Sequence, residues 1–342
     1  MKQIEPLFLE GNYSKIKESE ISGRWVTLQD IKPLYANLAG SIQKKIIGQS
    51  EEGRDIYQLK LGSGKRKILV WSQMHGNEST GTKAVFDFLN FIQHFSTHEI
   101  TKSILDNCSI TIVPMLNPDG AQAYTRVNAN NVDLNRDAVE LEAKESNLLR
   151  SILEEVNPEF CFNLHDQRTI FGVEGTKNPA TISFLAPSEE VTRKVTDGRK
   201  LTMNVIVAMN ALLQKIIPNH VGRYTDEFYP TATGDNFQKL GFNTILIEAG
   251  HFPGDYEREE VRKFNFFALV QGIYHIATTT NYKEYLPYFD IPNNQKNFFD
   301  VIVAKEKGYV YVDKVIDNTF TTELKLEKEG GLESYLAHSV KS

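Results

Sequence analysis

The chain has 342 residues, 41% apolar and 24% charged, which excludes a disordered or fibrous protein. Thirty-eight basic residues against 44 acidic ones give a net charge of −6, which argues against nucleic acid as the main partner. No stretch approaches the roughly 20 apolar residues that span a bilayer, so no membrane partner is expected. Met1 to Glu20 lacks the apolar core of a signal peptide, and a cytoplasmic location is expected. Cys108 and Cys161 lie in apolar, strand-like runs and read as buried reduced thiols.

In chain order, Gln43 to Gly48 and Ile56 to Leu61 read as strands around the turn Glu51-Glu52-Gly53-Arg54. Gly62-Ser63-Gly64 breaks the pattern before Lys67 to Met74, an apolar run that suits a buried strand. Thr80 to His94 has helical spacing, with Val85, Phe88, Leu89 and Ile92 on one face. Ile110 to Met115 reads as a strand, Pro118-Asp119-Gly120 as a turn, and Leu141 to Val156 as a helix ending near Asn157-Pro158. Strands follow at Phe160 to Leu164 and Ile182 to Leu185, then a mostly helical stretch from Glu189 to Ile217. Thr244 to Glu248 reads as a strand and Glu257 to Ile276 as a helix.

This alternation predicts an α/β fold, a mixed and mostly parallel sheet with helices on both faces. After Tyr282 the pattern changes to alternation in Asp300 to Val315, with Lys305-Glu306-Lys307-Gly308 as a turn. The expected organisation is a domain over residues 1–282 and a small β appendage over residues 283–342.

In such sheets, ligands bind beyond the carboxyl ends of the strands. The strand ending near Met74 is followed by His75-Gly76-Asn77-Glu78, the strand at Phe160 by His165-Asp166, and the strand at Thr244 by Glu248. Two histidines and one carboxylate are a common catalytic zinc set, with a fourth position left for water. His75 and Glu78 are three apart in a loop entering a helix, so both can fold onto one ion, and His165 would be the third ligand. A lone His-x-x-Glu is also an ordinary helix-start pattern, and a lone strand-end histidine is often a core residue. Their convergence is the stronger signal.

Thr125-Arg126 and Asp133-Leu134-Asn135-Arg136 add two arginines. A guanidinium holds a carboxylate or an oxyanion through paired hydrogen bonds. Near a metal, one would serve a substrate anion and the other a developing oxyanion. Without the histidines, both would read as solvated loop arginines.

His75-Gly-Asn-Glu78, Asn117-Pro-Asp-Gly120, Thr125-Arg126, Asp133-Leu-Asn135-Arg136, His165 and Glu248 together resemble the zinc carboxypeptidase family of the carboxypeptidase A type. Ile47-Gly48 through Gly53-Arg54 resembles that family's early strand–turn–strand, and order and spacing agree over roughly residues 40–275. The resemblance implies one Zn2+ held by His75, Glu78 and His165, with Asp133 orienting the first histidine. It implies Glu248 as general base and Arg126 polarising the scissile carbonyl. Asn135 and Arg136 match the pair that grips the terminal carboxylate. Tyr229 matches a mobile substrate-binding tyrosine, with Tyr224 as its rival. The implied substrate is a peptide, or an amino-acid conjugate, with a free carboxylate.

The related aspartoacylase and succinylglutamate desuccinylase group shares the His-Gly-Asn-Glu and Asp-Leu-Asn-Arg pieces and carries a small C-terminal β domain. Asn117-Pro-Asp-Gly120 and the early strand–turn–strand favour the peptidase. A binding module that has lost catalysis is disfavoured because Glu248 is present. The side-chain pocket is expected to include Gly234. Arg168 is expected at the surface, and inside the pocket it would favour acidic substrates.

Overall fold

The computed structural model describes the backbone of residues 2–305, 308–316, 322–330 and 336–341 and the side chains of residues 2–298. Its strands are β1 (Gln43–Gln49), β2 (Asp55–Leu61), β3 (Arg66–Ser72), β4 (Cys108–Val113), β5 (Phe160–Asp166), β6 (Phe171–Val173), β7 (Ile182–Leu185), β8 (Val221–Arg223), β9 (Asn243–Ala249), β10 (Asn294–Lys296), β11 (Phe298–Lys305), β12 (Gly308–Ile316), β13 (Thr322–Gly330) and β14 (Leu336–Lys341). The helices are α1 (Pro6–Ile16), α2 (Leu28–Ile31), α3 (Thr80–His94), α4 (Glu99–Asn107), α5 (Pro118–Ala123), α6 (Lys144–Val156), α7 (Asp197–Leu213), α8 (Thr233–Lys239) and α9 (Glu259–Thr278).

An 8-stranded sheet in the order β1-β2-β4-β3-β5-β9-β7-β8 forms the centre. The central strands β4, β3, β5 and β9 run parallel, as do β7 and β8. The β1–β2, β2–β4 and β9–β7 pairings are antiparallel. The mixed α/β sheet expected from the sequence is therefore the one observed. Successive strand residues point to opposite faces. Ile68, Val70, Phe160 and Phe162 bury against α3, α7 and α9, while Leu69, Trp71 and Cys161 bury against α6 and α8. Every residue of helix α9 from Phe264 to Ala277 is buried, as befits a helix inside a core. Cys108 and Cys161 are buried free thiols.

Several boundaries differ from the sequence expectation for local reasons. Strand β3 stops at Ser72 because Gln73 takes a φ of 49°. The Pro-Asp-Gly segment is not a turn but opens α5. The Asn117 side chain accepts from Gly120 N, and Pro118 stands at the first helical position, where its missing N–H costs nothing. Helix α6 starts after Leu141, whose φ is 54°, and the Asp137 carboxylate accepts from the backbone of Glu142 and Ala143. It ends at Asn157, which adopts the left-handed conformation. Helix α7 begins only at Asp197, capped by Thr196. Helices α1 and α4 lie in stretches that the periodicity left unassigned.

The N-terminal stretch is stitched onto the body. Ile4 N donates to Gln271, Gly23 O accepts from Lys83, and Ile21 O and Glu18 O accept from Arg262. Beyond α9, Tyr288 and Ile291 bury in the main core, and β10 pairs antiparallel with β6. A separate 4-stranded sheet, β13-β12-β11-β14, begins at Phe298. The strands expected around Val301, Val303, Tyr309 and Tyr311 are present. Of the expected turn between them, Glu306 and Lys307 lie outside the described residues. Among the described residues, no helix is long and apolar enough to cross a membrane.

Candidate active site

The carboxyl ends of β3, β5 and β9 open into one cavity of about 550 Å³. The loop after β3 brings in His75 and Glu78. It must be glycine at Gly76, because a Cβ there would lie 1.9 Å from the carbonyl carbon of Gly120. His165 and Glu248 face each other in register on β5 and β9. Arg126, Asn135, Arg136 and Tyr229 line the same cavity, as do Gly234, Tyr224 and Arg168.

His75, Glu78 and His165 offer ligand atoms that all lie within 4.8 Å of one another. The Nδ1 atoms of His75 and His165 each stand 2.8 Å from a Glu78 carboxylate oxygen. His75 Nε2 stands 3.0 Å from Asp133 Oδ1, a contact in which a protonated Nε2 donates a hydrogen bond to the carboxylate. With an ion bound, that hydrogen bond would leave Nδ1 to ligate through its lone pair; with no ion there, burial lowers the imidazole, but Glu78 and Asp133 outweigh it and raise it. His165 Nε2 is buried and without a partner among the described residues. All three residues are buried, and a neutral imidazole pair around a carboxylate is the donor chemistry of a zinc site. The residues present therefore fit the ion that the sequence implies.

Charges around this trio are arranged in rings. Arg126 Nε donates to Asp133 at 2.9 Å, and its Nη1 donates to Glu78 at 3.3 Å. The Asp166 backbone N–H donates to Glu78 at 3.0 Å. Burial works against the charged Glu78 carboxylate, but His75 and His165 outweigh it and hold it well below the usual range. Asp133 is likewise held low by His75 and Arg126 against the effect of burial. Burial lowers His165. Glu248 behaves in the opposite way. Burial pushes its carboxyl well above the usual range, and the nearby Glu78 and Asp166 push it the same way. Glu78, inside the trio, and Glu248, beside it, thus have opposed proton affinities, a pattern common where one carboxylate binds charge and another moves protons.

Asn135 and Arg136 come from the 3-10 turn after Asp133. The Asp133 side chain accepts from Asn135 N, and Asn135 Oδ1 accepts from Thr233 N at the start of α8. The Arg136 guanidinium lies 5.7 Å from the Tyr229 ring centroid, and the Tyr229 hydroxyl donates to Glu227 at 2.9 Å. Tyr229 is 46% exposed at the rim, whereas Tyr224 lies deeper, and burial followed by Glu248 raises its hydroxyl. Arg168 is exposed at the cavity edge.

Three site residues escaped the sequence reading. Arg24 reaches the cavity from the N-terminal stretch, and nothing in its neighbourhood along the chain marks it. Arg258 is buried just before α9, donates to the carbonyls of Ala249 and Gln167, and pairs with Asp166 at 3.2 Å. Asn163 stands on the cavity floor two residues before His165. Strand alternation puts it on the same face as His165 and was the available signal.

Residues 28–152 match the family model described as zinc carboxypeptidase. Probable carboxypeptidase 2 of Trichophyton verrucosum is 27% identical over 128 residues, covering 34% of this chain and 24% of that protein. Carboxypeptidase SOL1 of Arabidopsis thaliana is 28% identical over 166 residues, covering 43% of this chain and 34% of that protein. The chain thus spans a quarter to a third of these relatives. Among solved structures, a metallo-carboxypeptidase from Burkholderia cenocepacia superposes with a TM-score of 0.59 at 15% identity, covering 74% of this chain and 69% of that one. Carboxypeptidase A from Helicoverpa armigera gives 0.57 at 15% identity, covering 80% of each chain. At these identities the structures speak for the fold, and the matched segment makes residues 28–152 similar to zinc carboxypeptidases.

Proposed function

We propose that this chain is a zinc-dependent carboxypeptidase that hydrolyses the peptide bond next to a free C-terminal carboxylate. The observation that carries the proposal is the convergence of His75, Glu78 and His165 with Glu248, Arg126 and Arg136 in one cavity. His75, Glu78 and His165 would hold one Zn2+, which when bound supplies a polarised water and a Lewis acid for the scissile carbonyl.

The chain's own residues then do the rest. Glu248 takes a proton from the attacking water and returns it to the leaving amine, which its carboxyl can do because it is buried beside, and not inside, the ligand trio. Arg126 donates to the oxygen that becomes negative as the carbonyl is attacked. Losing one such donor typically costs about 3–4 kcal/mol in the barrier. Asn135 and Arg136 bind the terminal carboxylate and so set which bond meets the water. Tyr229, at the rim beside Arg136, covers that carboxylate. Asp133 holds His75 in the ligating tautomer.

The test is product analysis by mass spectrometry. The zinc-loaded protein is incubated with free-acid peptides, their C-terminally amidated twins and small N-acyl amino acids. Trimming of the free-acid peptides alone is expected. Cleavage of the amidated twins at the same rate would remove the carboxylate grip from the proposal. Cleavage of the acyl amino acids alone would overturn it in favour of an amidohydrolase.

A further inference from the structure

The cavity has a floor that the proposed chemistry does not use. Asn163 pairs in register with Trp71 on β3 and Leu246 on β9. Its exposure is 0%, and it lines the cavity together with Leu185, Pro187, Gly234 and Leu246. Neither its amide oxygen nor its amide nitrogen has a hydrogen-bond partner among the described residues. Buried polar side chains are nearly always paired, so an orphaned amide facing a cavity points to a ligand. Of these, Leu185, Pro187 and Leu246 are apolar and Gly234 has no side chain, and Asp235 next to it already accepts from Tyr229 N. Asn163 therefore offers this part of the floor one unpaired amide acceptor and one unpaired amide donor.

We infer that Asn163 selects the side chain of the residue removed and favours a neutral carboxamide, glutamine before asparagine. The inference rests on the carboxypeptidase reading of the site. A carboxamide meets both Asn163 groups at once, donor to oxygen and acceptor to nitrogen. Methionine fills a similar volume and leaves both groups unpaired. Lysine satisfies the oxygen alone, and glutamate the nitrogen alone. One buried group left unpaired weakens binding on the order of tenfold, and two on the order of a hundredfold. A site built to hydrogen-bond rejects an analogue that cannot do so far more strongly than an apolar site rejects an added hydroxyl. The longer glutamine is favoured because Asn163 lies two residues, roughly 6–7 Å of strand, from His165.

The test uses the full zinc-loaded chain and N-blocked dipeptides that differ only in the last residue: glutamine, asparagine, methionine, leucine, lysine or glutamate. The kcat/KM for glutamine is expected to exceed that for methionine by about 10- to 100-fold. In Asn163→Leu the glutamine-to-methionine ratio should fall toward one. Asn163→Asp keeps the shape and removes the donor, and should move the preference to lysine. Thermal unfolding of both variants establishes that each is folded, and either folded variant suffices to decide. A preferred last residue other than glutamine or asparagine overturns the inference, as does an unchanged ratio in a folded variant. If no dipeptide is cleaved, the carboxypeptidase reading fails separately, and calorimetric binding of the same dipeptides decides the floor. Tighter glutamine binding that is lost in the variants supports the inference, and equal binding of glutamine and methionine overturns it.

Discussion

Two clusters of buried charge lie one above the other along α3, and they differ in how completely they are paired. The lower one joins Asp87, Arg262, Lys83 and Glu259. Asp87 accepts from Tyr13, from Glu18 N and twice from Arg262. Lys83 donates to two backbone carbonyls and to Glu259. The upper one holds His75, Glu78, His165, Asp166 and Glu248. There His165 Nε2 and Asp166 Oδ1 have no partner among the described residues, and Glu248 faces other carboxylates. A closed network gives rigidity; an open one keeps binding capacity for something outside the chain. Burial is common to both, so burial of charge alone does not identify a site.

The sharpest way to test this contrast is to neutralise one carboxylate in the open cluster. Glu248→Gln is expected to lower kcat/KM by about 10²- to 10⁴-fold, or roughly 3–5 kcal/mol. Its thermal stability without metal should not fall. The Glu248 carboxyl sits above its ordinary value, so its ionisation opposes folding at neutral pH. Retained turnover with zinc bound would remove Glu248 from the base role.

The closed cluster should respond in the other direction. Arg262→Met leaves Asp87 buried without its ion partner and is expected to cost about 3–5 kcal/mol of unfolding free energy in denaturant titrations. A loss below about 1 kcal/mol would mean that the network is dispensable.

Glu259 gives that cluster a pH signature. Burial pushes its carboxyl up, but Lys83 and Lys17 outweigh this and bring it from 4.5 down to about 2. A lowered carboxylate stabilises the fold above its unfolded value and loses that contribution as pH falls through the folded one. Solvent screening of this half-buried carboxylate reduces the effect, so the stability gap between wild type and Glu259→Gln should hold at about 1–2 kcal/mol above pH 5 and close as the pH falls toward 2. A gap that does not change with pH would contradict the ion-pair account.

The smallest expected effect lies between the clusters' extremes. Asp133→Asn keeps a side chain next to His75 Nε2 but removes the anionic acceptor. Zinc affinity, measured by competition with a chelating dye, should weaken about 10- to 100-fold. Unchanged affinity would show that the tautomer of His75 is held by something else.

The open cluster was the more legible of the two in the sequence. His75, Glu78, His165 and Glu248 follow apolar strands, so strand-end logic brings them together without any knowledge of distant contacts. Arg126 and Arg136 could be named for the same reason, as polar groups in a loop that must cross the same edge. The fold class was equally accessible, since β3, α3, β4, β5 and β9 carry clear periodicity. Asn163 was not legible as a site residue. Strand alternation puts it on the face of His165 but gives it no role, and only the three-dimensional count of its partners shows that it has none among the described residues. Arg24 and Arg258 were hidden because their roles depend on the N-terminal stretch and on the approach to α9, two segments brought together by long-range packing. Helix α5 was hidden because Pro-Asp-Gly has the same composition in a turn and in a capped helical turn. Asn117 tipped the balance through one side-chain hydrogen bond.

The stitched N-terminal stretch changes what a cut near its end would mean. Its carbonyls at Glu18, Ile21 and Gly23 solvate Arg262 and Lys83, and Ser79, just after His75 and Glu78, donates to Arg24 O. These groups serve as a solvent shell made of peptide. Protease cleavage and release of this stretch would leave Arg262 and Lys83 with their carboxylate partners but short of these carbonyls, and would take away the Arg24 carbonyl that Ser79 holds, so the damage would spread inward to the loop that carries His75 and Glu78. A shortened protein of this kind should lose its grip on metal and its resistance to heat in a single step.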